Sequence, residues 1–235
     1  MPFIYLFFKV CWDFKVINKE NTKKVKDSAA ITVANHVHNM DSPMTTAAFF
    51  PNTPHYVALP HNFEVFFVGG IVRILRGVPL PDGMSNFRRF SQQIDDALQH
   101  TKKKVHIYPE GEIEPYSKTL RPFKSGAFHF AVRNNVPVLP MTFVFPRKNS
   151  IRLIVGEPIY LMDVPDTKGE NEIKQTKLFC QYAKNEMQKM MDDYYLSLEH
   201  DTELDGGSKR KVTDRNKVDE IHSDCDFASG IHNSR

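Results

Sequence analysis

Cysteine is scarce in this chain of 235 residues, and its arrangement excludes two classes of protein. The three cysteines, Cys11, Cys180 and Cys225, lie far apart and include no C-x-x-C pair. They therefore describe neither a disulfide framework nor a zinc site. A reducing, cytosolic compartment is the simplest interpretation of this pattern.

Long apolar runs are also absent. Residues 1–17 are rich in Phe, Ile, Leu and Val, but three charged residues interrupt them. A membrane-spanning helix needs about 20 mostly apolar residues, and no cleavage site of a signal peptide follows. We expect instead an apolar helix that lies in a membrane interface, with Tyr5, Trp12 and Phe14 at headgroup depth. The alternative is a helix packed on the core of the domain.

The net charge of the chain is small and unevenly placed. The formal charge is +3, but residues 199–235 carry nine acidic and six basic residues. Residues 1–198 therefore carry 25 basic and 19 acidic residues, a net charge of +6. A basic body suits an anionic partner, either phospholipid headgroups or nucleic acid, although many proteins that bind neither are also basic. No motif of interleaved aromatic and basic residues is present, so nucleic-acid binding is not expected.

Predicted strands alternate with predicted helices along the chain. Strands are expected at residues 29–34, 55–59, 105–108, 136–144 and 151–155. Helices are expected at residues 43–50, 63–75, 123–134 and 170–198, with another after Ser85 as its N-cap. This alternation is typical of an α/β fold with a mixed central sheet flanked by helices.

The same pattern predicts the organisation of the chain. An apolar N-terminal helix and its connector occupy residues 1–28, and the α/β domain occupies residues 29–198. The last segment, 199–235, is polar and has almost no apolar clusters, so we predict a disordered tail.

The densest group of polar residues directly follows the first predicted strand of the domain. It reads N-H-V-H-N-M-D over residues 35–41, and ligands of α/β folds usually bind at such strand ends. If the chain turns into the next helix, the Asp41 carboxylate can accept the N–H of one His36 ring nitrogen. The other nitrogen is then free to take a proton from a substrate hydroxyl. The alternative is a surface loop in which Asp41 caps the following helix.

The same segment fits a metal site in part. Two imidazoles and a carboxylate, from His36, His38 and Asp41, can bind zinc. The metallo-β-lactamase-like hydrolases use H-x-H-x-D-H, whereas here the Asp comes one position late and the next His is missing. We therefore expect no metal site.

A second polar group follows the strand predicted at residues 105–108. Glu110 and Gly111 come at the end of that strand, and Arg121 and Lys124 lie near a helix predicted to open at Phe123. Two cations beside the free N–H groups of a helix N-terminus would make an anion site of phosphate size. A turn with two solvated cations fits the spacing equally well.

The order and spacing of these groups are more specific than any one of them. N-H-x-x-x-x-D is followed by P-E-G at 109–111, K-x-G-A at 124–127 and V-P-V-x-P at 136–140. Over roughly residues 29–160 the chain resembles the glycerolipid acyltransferase superfamily, in particular its 1-acylglycerol-3-phosphate acyltransferase branch.

The resemblance implies an O-acyltransferase that works at the cytoplasmic face of a membrane, as a peripheral or monotopic protein. It implies that His36 is the general base and Asp41 its partner, and it places Glu110 and Gly111 in the acceptor pocket. The donor would be an acyl thioester, acyl-CoA or acyl-ACP, used as a co-substrate without any cofactor. The acceptor would be the free hydroxyl of a lysophospholipid such as 1-acylglycerol-3-phosphate.

Two of the motifs depart from the family pattern. In the family, the motif that contains P-E-G usually continues as E-G-T-R, and Ile113 takes the place of its arginine. Another family motif, between N-H-x-x-x-x-D and P-E-G, usually has an arginine where Asp82 lies. Charge-assisted hydrogen bonds contribute about 1.5–3 kcal/mol each, so an acceptor phosphate would need other cations. The candidates are Arg121 and Lys124, with Arg73, Arg76, Arg88 and Arg89 as further ones.

Two other functions are compatible with these departures. The acceptor can be a lipid without a phosphate, or the chain can be a catalytically silent homologue that binds lipid or acyl chains. The intact pair of His36 and Asp41 favours an enzyme, because a binding protein has no need of both residues.

Overall fold

The protein, described by a computed structural model over residues 2–81 and 83–205, has seven strands in one sheet within that part of the chain. The strands are β1 (Lys15–Ile17), β2 (Ala30–Ala34), β3 (His55–Ala58), β4 (Gly77–Pro79), β5 (Lys104–Ile107), β6 (Val138–Arg147) and β7 (Ser150–Val155). Their order across the sheet is β1-β7-β6-β2-β5-β3-β4. Neighbouring strands are parallel except β6 and β7, which are antiparallel. The predicted mixed α/β fold is confirmed.

Helices cover both faces of this sheet. They are α1 (Pro2–Trp12), α2 (Asn21–Lys24), α3 (Asp41–Phe49), α4 (Phe66–Ile74), α5 (Met84–Gln99), α6 (Gly126–Asn134) and α7 (Glu172–Asp205), with 3-10 turns at Pro60–Phe63 and Leu161–Asp163. All five residues of β2 are buried, because it is a central strand with a core on each side. Ile31 and Val33 pack into the core that includes residues of α5, α6 and α7, and Ala30 and Ala34 pack into the core formed with α1 and α3.

The N-terminal segment differs from its prediction. Helix α1 ends at Trp12, and Lys15–Ile17 form the edge strand β1, whose Val16 lies opposite Leu153 of β7. Phe14 is fully buried in the core, so its predicted place at headgroup depth is wrong. The Asp13 carboxylate accepts hydrogen bonds from Arg152 and Ser150 at 2.8 and 3.1 Å, which ties the end of α1 to β7.

Several other helix ends differ from the prediction. Helix α5 begins at Met84 after Gly83, so Ser85 is not its N-cap. Helix α6 begins at Gly126 instead of Phe123. Helix α7 continues to Asp205, past the predicted end at Leu198. The chain divides into two units after Leu198. Most of the predicted tail, residues 206–235, lies outside the described residues, as does Asp82.

None of the described helices combines the length and the apolar composition that crossing a bilayer requires.

The position of the polar groups follows from the pairing of the central strands. Strand β2 lies parallel to β5, with Val33 opposite Ile107. Because both strands run in the same direction, the residues that follow Ala34 and those that follow Ile107 meet at the same edge of the sheet.

Candidate active site

The loop after β2 is anchored by the Asn35 side chain, which forms hydrogen bonds of the kind that a strand backbone forms. Asn35 is buried, and its side-chain amide donates a hydrogen bond to the carbonyl of Phe143 at 3.1 Å. Its Oδ1 accepts the N–H of Phe143 at 2.7 Å. This pair of bonds extends the contact between β2 and β6 by one more step. No role was predicted for Asn35, since a buried asparagine after a strand has no distinctive local signal.

The structure brings His36 and Asp41 together. The Asp41 carboxylate is fully buried, and its Oδ2 lies 3.0 Å from His36 Nδ1. The same oxygen accepts the backbone N–H groups of Val37 and His38 at 2.7 and 2.9 Å. Helix α3 has no side-chain cap from its N-cap residue, and Asp41 instead reaches back over the loop that precedes it. The alternative in which Asp41 caps the helix is therefore wrong.

This arrangement assigns the two ring nitrogens of His36 different tasks. An ionised carboxylate only accepts hydrogen bonds, so Nδ1 is the donor and Nε2 keeps a free lone pair. The His36 side chain is 21% exposed while that of Asp41 is not exposed at all. A partly accessible imidazole with an oriented, buried acidic partner can take a proton from a bound hydroxyl.

Glu110 joins the two loops through its side chain. It is buried, its Oε2 accepts the backbone N–H of His36 at 2.9 Å, and its Oε1 accepts that of Arg121 at 3.0 Å. Burial raises the pKa of this carboxyl group, and the two backbone N–H groups act against the rise. Both carboxylate oxygens are used within the protein, so Glu110 holds the loop after β2 and the loop after β5 together.

The predicted anion site is arranged differently from the expectation. The guanidinium of Arg121 lies 3.0 Å from the Glu112 carboxylate and 3.4 Å from that of Glu114. The N–H groups of a helix opening at Phe123 are not available, because the backbone N–H of Lys124 donates to the carbonyl of Pro109 at 2.8 Å. That part of the prediction is wrong, since these long-range bonds hold the segment before α6 in a non-helical conformation.

The Lys124 side chain lies directly over Gly111. Gly111 has a positive φ of 77°, and a Cβ at this position would lie 2.6 Å from Lys124 Nζ. A glycine is therefore required twice, by its left-handed backbone and by the close approach of the lysine. Lys124 is exposed, and none of the described carboxylates forms an ion pair with it. Its charge is available to a ligand beside the loop.

A polar layer lies between the sheet and α3. It consists of three hydroxyl contacts: Ser42 with Tyr108 at 3.1 Å, Thr46 with Tyr56 at 2.8 Å, and Thr32 with His106 at 2.9 Å. The first two of these contacts tie α3 to β3 and to the residue that follows β5. Both are directional contacts between hydroxyl groups, and they add to the apolar packing of α3 on the sheet.

A metal site has no support from the described residues. They contain no group of three or more His, Cys, Asp or Glu side chains placed to hold a metal ion. His38 Nδ1 accepts the backbone N–H of Met40 at 3.0 Å, and Trp12 packs edge-on against the same ring with the centroids 5.6 Å apart. His38 is therefore occupied by contacts within the protein.

The described part of the chain also places no protein nucleophile next to the imidazole. Among the described residues, no serine, threonine or cysteine side chain is hydrogen-bonded to His36. Cys11 is exposed on α1, and Cys180 is buried on α7, where its thiol lies 3.9 Å from the carbonyl of Phe123. Cys225 lies outside the described residues. A base without an adjacent nucleophile suits direct attack by a substrate hydroxyl.

The molecule is an α/β protein with a His–Asp pair at the carboxyl edge of the parallel strands of its mixed sheet. Comparison with known proteins shows the family to which it belongs. Residues 13–144 match the model of the Acyltransferase family. This match covers more than half of the chain, so the protein belongs to that family. The resemblance inferred from the motifs is confirmed.

Curated relatives place the chain near one branch of the family. It is 26% identical over 168 residues to the 1-acyl-sn-glycerol-3-phosphate acyltransferase of Salmonella typhimurium, covering 64% of this chain and 63% of that protein. It is 29% identical over 133 residues to the enzyme of the same name from Saccharomyces cerevisiae, covering 55% of this chain and 42% of that protein. The chain thus spans less than two thirds of the length of these relatives.

A solved structure shares the fold. The 1-acyl-sn-glycerophosphate (LPA) acyltransferase PlsC from Thermotoga maritima superposes with a TM-score of 0.60 at 22% sequence identity. The superposition covers 82% of this chain and 78% of that one.

The buried imidazole of His106 makes the stability of the protein depend on pH. Burial lowers the pKa of His106 to about 3, whereas a histidine in an unfolded chain titrates near pH 6.5. Between these values only the unfolded state binds the proton, so stability is lost as the pH falls from about 6.5 towards 3. We expect the unfolding free energy of the wild type to fall more steeply than that of His106→Gln between about pH 6 and 4, by roughly 1.4 kcal/mol per pH unit.

Urea unfolding at a series of pH values measures this difference. His100→Gln is the matched control for the substitution itself, because the His100 side chain is 75% exposed. Equal slopes for the wild type and His106→Gln would contradict the prediction.

Proposed function

We propose that the protein transfers a fatty acyl group from an acyl thioester, acyl-CoA or acyl-ACP, to the free hydroxyl of a lysophospholipid such as 1-acylglycerol-3-phosphate. The observation that carries the proposal is the 3.0 Å contact between His36 Nδ1 and the buried Asp41 carboxylate, which leaves Nε2 free to act as a base. Membership of the Acyltransferase family supports the reaction class. The names of the curated relatives support the choice of acceptor.

The proposed reaction is a single displacement. His36 Nε2 takes the proton of the acceptor hydroxyl as its oxygen attacks the thioester carbonyl, and a C–O bond forms. The C–S bond then breaks, and the imidazolium returns the proton to the leaving thiolate. The buried Asp41 carboxylate stabilises the imidazolium while it exists.

His36→Ala should abolish most of the turnover with folding intact. Removing a general base typically costs about 10²–10⁴-fold in rate, and we expect kcat to fall by that factor. The assay follows labelled acyl transfer from acyl-CoA and from acyl-ACP to 1-acylglycerol-3-phosphate. His100→Ala is the matched control, since His100 follows α5 just before β5, at the opposite edge of the sheet. Substantial activity in His36→Ala would remove the assigned role.

Lys124 is the cation that we propose for the acceptor phosphate. It lies over Gly111 in the loop that Glu110 ties to His36, and its ammonium is not neutralised by a described carboxylate. Arg121 is less suited to this role, because Glu112 and Glu114 already neutralise it. The proposal assigns Lys124 the task of the arginine that Ile113 replaces.

Lys124→Ala should raise the KM for 1-acylglycerol-3-phosphate by about tenfold to a hundredfold, which corresponds to about 1.5–3 kcal/mol for a charge-assisted hydrogen bond. Its kcat should change little, and Lys124→Arg should recover most of the affinity. Lys118→Ala is the control, because Lys118 is an exposed lysine of the same loop that lies over the Tyr195 ring. An unchanged KM would mean that Lys124 does not contact the acceptor.

A phosphate-free acceptor is the second candidate. It is favoured by Ile113, which is 38% exposed and apolar where the family has an arginine, and by the ion pairs of Arg121. A panel that includes lysophospholipids and phosphate-free glycolipids separates the two acceptors. Transfer only to the latter would favour this candidate, and no transfer at all would favour a silent lipid-binding homologue.

We propose in addition that α1 holds the protein at a membrane surface. Its side chains Ile4, Leu6, Phe7 and Val10 are 38–76% exposed, while Phe8 is buried in the core. The end of α1 lies beside the site, because Trp12 packs against the His38 ring. Insertion of the exposed apolar side chains into the interface would bring the carboxyl edge of the sheet close to lipid acceptors.

The double variant Leu6→Glu/Val10→Glu should bind vesicles of anionic phospholipid at least tenfold more weakly. Each leucine or valine side chain that moves from water into the membrane contributes about 1.5–3 kcal/mol to binding. Sedimentation with the vesicles measures the bound fraction. Ile173→Glu is the control, since Ile173 is 71% exposed on α7. Deletion of residues 1–17 is a poorer test, because it would also remove β1 and Phe14. Equal binding of the wild type and the double variant would place the membrane contact elsewhere.

A further inference from the structure

The aromatic ring of Tyr108 lies flat on the imidazole of His36. The two ring centroids are 4.0 Å apart and the ring planes differ by 13°. Tyr108 follows β5 directly, and His36 comes two residues after β2, so this contact depends on the parallel pairing of the two strands. One face of the candidate base is thus covered by a side chain that the proposed reaction does not use.

The other end of Tyr108 is attached to the helix that carries Asp41. Its hydroxyl lies 3.1 Å from the Ser42 hydroxyl, in the first turn of α3. Burial raises the pKa of Tyr108 well above its usual range, and the nearby Asp41 carboxylate adds to the rise. The phenol therefore stays neutral and keeps its proton for a hydrogen bond. Tyr108 therefore contacts the His36 ring and is also hydrogen-bonded to Ser42, the residue next to Asp41.

The Tyr108 ring also contacts His106, a residue of β5. The His106 ring packs edge-on against it with centroids 4.5 Å apart and planes at 79°, and His106 is itself fixed by Thr32 at 2.9 Å. The position of Tyr108 is thus determined by contacts along β5, β2 and α3. Movement of the ring away from His36 would disturb the polar layer beneath α3.

The two contacts of His36 restrict different motions. The hydrogen bond to Asp41 fixes the direction of Nδ1, but a single hydrogen bond tolerates tilting of the ring around it. A parallel ring at 4.0 Å restricts that tilt, because the imidazole cannot turn into the phenol ring. We propose that Tyr108, through its stack on His36, is a positioning residue that sets the plane of the imidazole and aims Nε2 at the acceptor hydroxyl. This inference rests on the proposed function.

Tyr56 provides a matched comparison within the same layer. Its hydroxyl lies 2.8 Å from Thr46 of α3, and its ring packs on His106 at 5.1 Å. Tyr56 lies on β3, and among the contacts of the described rings it has none with His36. Loss of Tyr56 should therefore affect packing of the polar layer without affecting the orientation of the base.

The kinetic test compares Tyr108→Phe, Tyr108→Leu and Tyr56→Leu with the wild type. A displacement of about 1 Å at a reacting group costs roughly 10²-fold in rate. We expect Tyr108→Leu to lower kcat by about 10–100-fold with the KM of both substrates nearly unchanged. Tyr108→Phe keeps the stack and should stay within about threefold of the wild type, as should Tyr56→Leu. A wild-type kcat in folded Tyr108→Leu, or equal losses in Tyr108→Leu and Tyr56→Leu, would overturn the inference.

A spectroscopic test reports the contact without any turnover. A proton above the face of a phenol ring is shifted upfield, so the His36 Cε1–H resonance, assigned by its absence in His36→Ala, should lie upfield in the wild type. The shift should persist in Tyr108→Phe and Tyr56→Leu and disappear in Tyr108→Leu. An unchanged resonance in Tyr108→Leu would overturn the inference.

The same set of variants separates the two proposals. If His36→Ala is inactive and Tyr108→Leu has wild-type kinetics, the positioning role fails and the proposed function stands. If His36→Ala is fully active, the proposed function fails, and the positioning role fails with it.

Discussion

One carboxylate oxygen organises the site. Asp41 Oδ2 accepts the backbone N–H groups of Val37 and His38 at 2.7 and 2.9 Å and lies 3.0 Å from the ring nitrogen of His36. The two backbone bonds close the loop between β2 and α3, and they hold the carboxylate in place independently of the imidazole. The third contact therefore meets a pre-positioned acceptor, which lowers the entropic cost of ordering the His36 ring. The loop, the start of α3 and the tautomer of His36 all depend on this oxygen.

The central part of this arrangement could be predicted from the sequence because it is local. His36 and Asp41 are five positions apart between a strand and a helix, so the short loop keeps the two side chains near each other. The strand ends were also predictable, since polar residues follow shortly after both β2 and β5. Parallel strands in one sheet place those ends at a common edge.

The remainder depends on contacts between distant parts of the chain. The bond from the His36 N–H to Glu110 joins residues separated by 74 positions, and the stack of Tyr108 on His36 has a similar span. No local pattern distinguishes an aromatic residue that packs on a base from one that ends a strand. The predicted helix start at Phe123 failed for the same reason, since the N–H groups of Arg121 and Lys124 donate to Glu110 and Pro109. Phe14 was misplaced because the predicted helix ran through residue 17, whereas α1 ends at Trp12 and the short strand β1 begins at Lys15.

The partners of Glu110 have a consequence for how such a protein can change over time. Both of its bonds are to backbone N–H groups, of His36 and of Arg121, so they do not depend on which side chains the loop after β5 carries. Substitutions at Ile113 or Lys124 can alter the charge beside Gly111 while the loop keeps its connection to His36. Single substitutions can therefore change the charge of this loop without disturbing its connection to His36. The departure of this chain from the family's E-G-T-R motif is the kind of divergence that such a framework tolerates.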